Sequence, residues 1–143
     1  MLSQSRRRKS SAPGFITGNG IAIDINYPQN PTNQHIQYIS NLIQEFEDAL
    51  YSDNGFNPVT GKHYTEYIDI ESWAKLYLVD EIFGNQDGGK YSSFLYKDMD
   101  SINNLLVAGP AWDYDLSIGN GFLFVKKPNV LFVYKHNWYS QLC

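Results

Sequence analysis

The sequence predicts a mixed α+β domain, and three observations support this class. Two segments carry apolar residues at helical spacing, and two short β-rich runs follow them with turn residues between, as in a hairpin. The length of 143 residues is typical of one domain with one sizeable core. Hydrophobic residues make up 43% of the chain and charged residues 18%, which is typical of a folded globular protein and not of a disordered one.

The charge is distributed unevenly along the chain. Because the net charge is −4 and Arg6, Arg7, Arg8 and Lys9 contribute +4, the remaining residues carry −8. An acidic body argues against a nucleic-acid-binding groove. No run of about 18 apolar residues occurs, which excludes a transmembrane helix, and no apolar segment of a secretory signal follows the basic residues. The single cysteine, Cys143, excludes an internal disulfide framework and a Cys-based zinc site.

Three segments differ in composition. Residues 1–12 are polar and basic, and we expect a disordered leader there. Residues 13–121 hold the periodic segments and form the predicted domain. Residues 122–143 form an aromatic-rich tail without an assignment, in which Phe122–Val125 and Val130–Tyr134 look like strands with unidentified partners.

A hairpin is predicted at the start of the domain. Phe15–Thr17 and Ile21–Ile23 are β-rich, and Gly18-Asn19-Gly20 lies between them. Asn-Gly supplies the positive φ angles of a tight hairpin turn. A phosphate-binding loop would also need a Lys and a following helix, and neither follows these glycines.

The first helix is predicted from Thr32 to Tyr51. Its apolar stripe repeats at three and four residues and consists of Ile36, Ile39, Ile43, Phe46 and Leu50. Glu45, Glu47 and Asp48 fall off this stripe. Core packing is the expected role of the stripe, and binding of a partner is the alternative.

The second helix is predicted to begin at Asp69, whose carboxylate suits an N-cap, and to end at Gly84, a natural left-handed residue after a helix. Its apolar residues cover well over half of its circumference, and they are Trp73, Leu76, Tyr77, Leu78, Val79, Ile82 and Phe83. We therefore expect a largely buried helix, with residues 85–89 emerging from its end as a loop.

Two acidic loops flank the second predicted hairpin, which is formed by Ser93–Lys97 and Leu105–Ala108. Asp87 lies in the loop before this hairpin, and Asp113 and Asp115 lie in the loop after it. Because a hairpin brings its two ends to the same edge of a sheet, we expect the three carboxylates to converge. In extended chain Asp113 and Asp115 would point the same way, and two hard oxygen ligands suit Mg²⁺ or Ca²⁺.

The surroundings of these loops are apolar, which makes uncompensated carboxylates costly there. The expected wall consists of Trp73, Phe83, Phe94, Trp112 and Tyr114. An Asp in a loop rich in Gly and Asn is also a common turn-former or cap, and that interpretation stays open for each of the three acidic residues.

Four stretches together resemble the spore coat protein H (CotH) kinase family. They are Tyr67–Trp73, Glu81–Asp87, Phe94–Asp98 and Gly109–Asn120, and Tyr27-Pro28 and the helix end Phe46–Leu50 fit the same family. The combination of Asn-x-Asp, Tyr-Lys-Asp and Gly-Pro-x-Trp-Asp-x-Asp is specific, although no single piece is. The resemblance covers residues 13–121, about three quarters of the chain.

The resemblance implies an atypical protein kinase with a protein-kinase-like fold, of which this chain would be a catalytic C-lobe portion with two main helices and a β-hairpin carrying the acidic loops. It implies ATP-dependent phosphorylation of Ser or Thr on a protein rich in these residues, with Mg²⁺ (or Ca²⁺) and ATP as cofactors. Asp87 would accept or orient the proton of the substrate hydroxyl. Asp113 and Ser92 would hold metal and nucleotide, and Asp115 would be a further metal ligand.

Two departures from the kinase pattern lower the expected activity. Kinases place a metal-binding Asn five residues after the catalytic Asp, and here that position is Ser92, a weaker ligand. Before Lys62 the only lysine is Lys9, so the nucleotide-binding lobe with its phosphate-binding Lys is expected to be missing. The sequence therefore predicts a family fragment that is weakly active or inactive as an isolated chain. The family's link with spore coats and with secreted or envelope proteins implies export, although this chain shows no signal peptide.

Two other interpretations stay open. In the first, the chain is a non-catalytic binding module of the spore coat or cell envelope, stabilised by a divalent cation at Asp113, Asp115 and the loop 119–121. In the second, it is a gene fragment without a stable fold. The acceptor protein, the compartment and the oligomeric state do not follow from the sequence.

Overall fold

A computed structural model describes residues 1–5, 13–120 and 131–142. Within these ranges the chain forms one five-stranded antiparallel sheet and three α-helices, which confirms the mixed α+β class. The strands are β1 (Leu2–Ser5), β2 (Gly14–Ile16), β3 (Ala22–Ile25), β4 (Phe94–Tyr96) and β5 (Val107–Ala108). The helices are α1 (Asn33–Leu50), α2 (Ile70–Phe83) and the single turn α3 (Tyr139–Leu142).

Strand β1 lies in the middle of the sheet, whose order is β2-β3-β1-β4-β5. Leu2 lies opposite Ile25 on one side and Leu95 on the other. The expectation of a disordered leader is therefore wrong for residues 2–5, because pairing on both sides satisfies the backbone and buries Leu2 and Gln4. The other residues of the expected leader lie outside the described ranges.

Strands β2 and β3 form the first predicted hairpin, which is confirmed. The backbone N–H of Gly20 donates to the carbonyl of Thr17 across 2.9 Å and closes the turn. Only Gly20, with φ of 81°, takes a left-handed conformation there, so Asn19 does not share the positive φ that the sequence predicted for the pair.

Helix α1 agrees with the predicted helix, since Thr32 is its N-cap and accepts from the backbone N–H of His35. The stripe residues from Ile39 to Leu50 are buried, and they pack in the core. The placement of Glu47 off the stripe is wrong, because this side chain is fully buried and accepts a hydrogen bond from the indole N–H of Trp138 at 2.7 Å.

Helix α2 has the predicted ends. Asp69 accepts from the backbone N–H of Ser72 at 2.8 Å, and Gly84 follows the helix with a left-handed φ of 60°. The expectation of a largely buried helix is wrong, because Leu78 and Ile82 are 55% and 77% exposed. The buried residues of α2 lie on one stripe, and they are Trp73, Leu76 and Asp80.

The described part of the tail closes the core. The rings of Phe46, Trp73 and Trp138 contact one another with centroid separations of 5.5 to 5.6 Å. The strand predicted at Val130–Tyr134 is wrong for its described residues, which lead into the 3₁₀ turn Val133–Lys135. The strand predicted at Phe122–Val125 lies outside the described ranges. None of the helices that the structure describes is both long and apolar enough to cross a membrane.

Candidate active site

The hairpin of β4 and β5 brings two acidic loops to one edge of the sheet. Leu95 pairs with Ala108, and Tyr96 pairs with Val107, in antiparallel register. The start of β4 and the end of β5 therefore lie side by side. Residues 85–93 lead into the start of β4 and residues 109–117 leave the end of β5, so this part of the sequence-based prediction is confirmed.

Ser92 and Asp113 connect the two loops directly. The hydroxyl of Ser92 donates to Oδ2 of Asp113 across 2.7 Å. Both residues have left-handed backbone conformations, with φ of 51° at Ser92 and 64° at Asp113. Such φ angles are uncommon outside glycine and cluster at functional sites. Two residues that the sequence assigned to the same metal site are thus in contact.

Asp113 and Asp115 do not adopt the extended conformation that the sequence predicted. The left-handed φ of Asp113 breaks the alternation, and Asp115 begins a turn in which the backbone N–H of Ser117 donates to the carbonyl of Tyr114. The carbonyl of Asp115 accepts from the side-chain amide of Asn120 at 2.6 Å. Both carboxylates are exposed, so they are accessible to a cation without the cost of burial.

Asp87 is half-buried at the turn between α2 and β4. Its carbonyl accepts from the backbone N–H groups of Lys90 and Tyr91, and its own N–H donates to Oδ1 of Asn85 at 3.3 Å. In the described ranges no group of three or more His, Cys, Asp or Glu side chains lies close enough to hold a metal ion. The three acidic residues therefore do not form the three-carboxylate cluster that the sequence suggested.

A buried network below these loops was missed by the sequence analysis. Asp80, near the end of α2, is 2% exposed, and its Oδ1 accepts from the hydroxyl of Tyr114 at 2.5 Å and from the side-chain amide of Asn85 at 2.9 Å. Burial raises the pKa of Asp80, and the two hydrogen bonds oppose that rise. Burial, followed by the hydrogen bond to Asp80, raises the pKa of Tyr114 far above its ordinary value, so its hydroxyl stays a donor at neutral pH.

The sequence did carry a signal for Asp80. It follows Trp73 by seven residues and Leu76 by four, which places it on the buried stripe of α2. A carboxylate on an apolar stripe must be hydrogen-bonded or neutral, so its position alone indicates polar partners in the fold. Those partners could not be identified from spacing, because Tyr114 is 34 residues away along the chain.

Aromatic rings flank the loops. Phe83 contacts Tyr114, and Phe94 contacts Trp112, each edge-to-face with centroids 5.9 Å apart. Four of the five aromatic residues expected at the site therefore contact each other in pairs beside it. The placement of Trp73 in this wall is wrong, since its ring lies in the core and its indole N–H donates to the carbonyl of Leu106.

The sequence profile of the family described as CotH kinase protein matches residues 12–127 of the 143-residue chain. The chain belongs to the CotH kinase family. This confirms the resemblance that the acidic motifs carry, and the matched residues include both acidic loops of the site. No curated protein and no solved structure matches the chain.

Membership of a kinase family implies the use of ATP and a divalent metal, and the donors at the Ser92–Asp113 contact fit Mg²⁺. Adjacent oxygen ligands around an octahedral Mg²⁺ with bonds of about 2.1 Å lie about 3 Å apart. The Ser92 hydroxyl oxygen and the Asp113 carboxylate oxygen are 2.7 Å apart, close to that spacing. Both are hard oxygen donors of the kind that Mg²⁺ prefers.

Proposed function

We propose that this chain carries the metal-binding and catalytic loops of a CotH-type protein kinase, which transfers phosphate from ATP to Ser or Thr of a protein. The observation that carries the proposal is the contact of Ser92 with Asp113 across 2.7 Å. This contact joins the loop that precedes β4 to the loop that follows β5. A metal and nucleotide site with ligands from both loops needs the loops to meet in this way. Family membership supports the reaction class.

Asp113 and Ser92 would hold Mg²⁺, with Asp115 as a further ligand from the same exposed loop. Bound Mg²⁺ would neutralise charge on the phosphate oxygens during transfer. Both residues have left-handed backbone conformations, and the hydroxyl of Ser92 donates to Oδ2 of Asp113. A serine hydroxyl is a weaker ligand than the amide oxygen found there in typical kinases, so we infer a modest metal affinity.

Asp87 would act on the acceptor. Its half-buried carboxylate lies in a loop fixed by three backbone hydrogen bonds, to Asn85, Lys90 and Tyr91. A carboxylate carried by a hydrogen-bonded loop at this edge of the sheet suits a group that accepts or orients the proton of an incoming hydroxyl. Positioning of this kind contributes about 10²- to 10⁴-fold to the rate.

The isolated chain of 143 residues is expected to be weakly active. Phosphoryl transfer depends on charge stabilisation at the phosphates, and no lysine between Lys9 and Lys62 is available for that role. The test is incubation of the purified chain with MgATP and a Ser-rich acceptor protein, with transfer of labelled phosphate as the readout. Slow transfer that requires Mg²⁺ supports the proposal, whereas turnover comparable to that of an ordinary kinase would defeat the expectation of weak activity.

Calorimetry separates the kinase from a metal-stabilised binding module. A kinase lobe binds MgATP, while a module stabilised by Ca²⁺ binds the cation without nucleotide. Titration of the chain with Ca²⁺ and, separately, with MgATP distinguishes the two, and binding of Ca²⁺ without any binding of MgATP would overturn the kinase proposal.

A further inference from the structure

Asp80 is a buried acidic residue outside the set of candidate ligands. It lies on the buried stripe of α2, one turn before the end of the helix, and it is 2% exposed. A buried carboxylate without partners is strongly destabilising, so such a group persists only where its hydrogen bonds satisfy it. The partners of Asp80 come from the two loops of the candidate site.

A single oxygen of Asp80 connects both loops. Its Oδ1 accepts from the Tyr114 hydroxyl and from the Asn85 side-chain amide, at 2.5 and 2.9 Å. Tyr114 is the residue between Asp113 and Asp115. Asn85 uses its own Oδ1 to accept from the backbone N–H of Asp87. Asp80 is therefore one hydrogen bond from the Asp113 loop and two hydrogen bonds from Asp87.

The backbone of the Asp87 loop also lies directly against this carboxylate. A Cβ atom added to Gly88 would lie 2.6 Å from Cγ of Asp80 and 2.8 Å from its Oδ2, which is closer than real contacts allow. Glycine at this position lets the loop pass over Asp80. The carboxylate thus accepts a hydrogen bond from each loop and is also packed against the backbone of the Asp87 loop.

We propose that Asp80 is a positioning residue that fixes the Asp87 loop and the Asp113 loop relative to each other through Asn85 and Tyr114. The expected effect on metal affinity rests on the proposed function. The bridge between the two loops does not. Asp80 is too deeply buried to be a ligand itself, so its effect on the site passes through its two partners. Loss of the bridge would leave Ser92 and Asp113 free to separate.

The experiment compares Asp80→Asn, Asp80→Ala and Tyr114→Phe with the unchanged chain. Asparagine keeps an oxygen that accepts both hydrogen bonds, alanine removes both, and Tyr114→Phe removes one hydroxyl. The matched control is Tyr38→Phe, which removes a Tyr-to-Asp hydrogen bond of the same length, to Asp100, beyond the other end of β4. Hydrogen exchange is measured by mass spectrometry on peptides covering the two loops, and Mn²⁺ binding is measured by electron paramagnetic resonance.

Asp80→Ala and Tyr114→Phe are expected to speed exchange in residues 112–117 about tenfold, and Asp80→Ala also in residues 85–89, while α1 keeps its protection. Both variants are expected to bind Mn²⁺ about tenfold more weakly. Asp80→Asn and Tyr38→Phe should leave both loops and Mn²⁺ binding as in the unchanged chain. If Asp80→Ala does not fold, Tyr114→Phe alone decides the question.

Unchanged exchange in residues 112–117 of Tyr114→Phe would overturn the positioning role, and so would faster exchange spread evenly over the chain. A chain that binds no Mn²⁺ at all would defeat the proposed function. In that case the exchange pattern still decides whether Asp80 positions the two loops.

Discussion

Ser92 and Asp113 meet across 2.7 Å although both have left-handed backbones, with φ of 51° and 64°. Neither residue is a glycine, so each conformation is stabilised by its surroundings. At Asp113 the adjacent Tyr114 is hydrogen-bonded to the buried Asp80, and β4 begins at Phe94, two residues after Ser92. Different parts of the fold therefore support the two residues of the Ser92–Asp113 contact.

The two aspartates of the metal loop should differ in their effect on metal binding. Asp113→Asn is expected to weaken Mg²⁺ binding more than Asp115→Asn, because only Asp113 contacts Ser92, the partner donor. Isothermal titration with Mg²⁺ measures both variants beside the unchanged chain. Equal losses in the two variants would leave the assignment of Asp113 as the principal ligand without support.

Replacement of Ser92 by Asn should strengthen the metal site. Asparagine supplies the amide oxygen used in typical kinases and tolerates a left-handed backbone better than serine does. We expect Ser92→Asn to bind Mg²⁺ several-fold more tightly and the matched Ser92→Ala to bind it more weakly. Unchanged Mg²⁺ affinity in Ser92→Ala would show that residue 92 is not a ligand.

Asp87 should matter for transfer and not for nucleotide binding. Asp87→Asn keeps the size of the side chain but removes the proton acceptor, so transfer of labelled phosphate is expected to fall by about 10²- to 10⁴-fold. Calorimetric affinity for MgATP should stay within about twofold, since Asp87 is not assigned to the metal or the phosphates. Loss of MgATP binding in this variant would show that Asp87 takes part in nucleotide binding, contrary to its assignment here.

Trp138 should be essential for stability. It is 2% exposed, contacts Phe46 and Trp73, and donates to the buried Glu47. Trp138→Ala is expected to lower the free energy of unfolding by about 3–5 kcal/mol, as measured by urea denaturation. The control Trp112→Ala removes a ring that is 59% exposed and should cost much less. Similar losses in both variants would contradict a core role for the tail.

The pH dependence of stability should reveal Asp80. Burial raises its pKa in the folded state above the ordinary value of 3.8, so the protonated form favours folding. That contribution is complete below the ordinary value and is lost as the pH rises through the folded pKa. Asp80→Asn, which is always neutral, should therefore gain stability over the unchanged chain as the pH rises from about 4 to 7.

The measurement for that prediction is urea denaturation across the pH range, with the exposed Asp53→Asn as the control. Asp53→Asn removes one ionisable carboxyl group from an exposed position and so controls for the loss of a charge. If the advantage of Asp80→Asn shrinks as the pH rises, the direction given for the pKa of Asp80 is wrong.

Features set by neighbouring residues could be predicted from the sequence. Thr32 and Asp69 cap the starts of α1 and α2 where expected, and Gly84 caps the end of α2, because capping depends on residues a few positions apart. The hairpin of β4 and β5 also followed from its own residues and placed Ser92 and Asp113 at one edge of the sheet.

Features set by distant partners could not be predicted. Strand β1 has only four residues and pairs with strands far along the chain, so no local periodicity marks it. Glu47 and Asp80 are buried because Trp138 and Tyr114 reach them from 91 and 34 residues away. The left-handed φ of Asp113 breaks the extended conformation on which the prediction for Asp113 and Asp115 depended, and the local sequence gives no sign of that angle.

The most direct test of the metal and nucleotide site is a crystal structure of the chain with Mn²⁺ and a non-hydrolysable ATP analogue. Anomalous scattering should place one Mn²⁺ in bonding contact with Asp113 and Ser92, at about 2.1–2.3 Å. The analogue's phosphates should bind the solvent-facing side of that Mn²⁺. The Ser92 hydrogen bond to Asp113 would then be replaced by two metal–oxygen bonds. A Mn²⁺ bound elsewhere, with that hydrogen bond intact, would contradict the account.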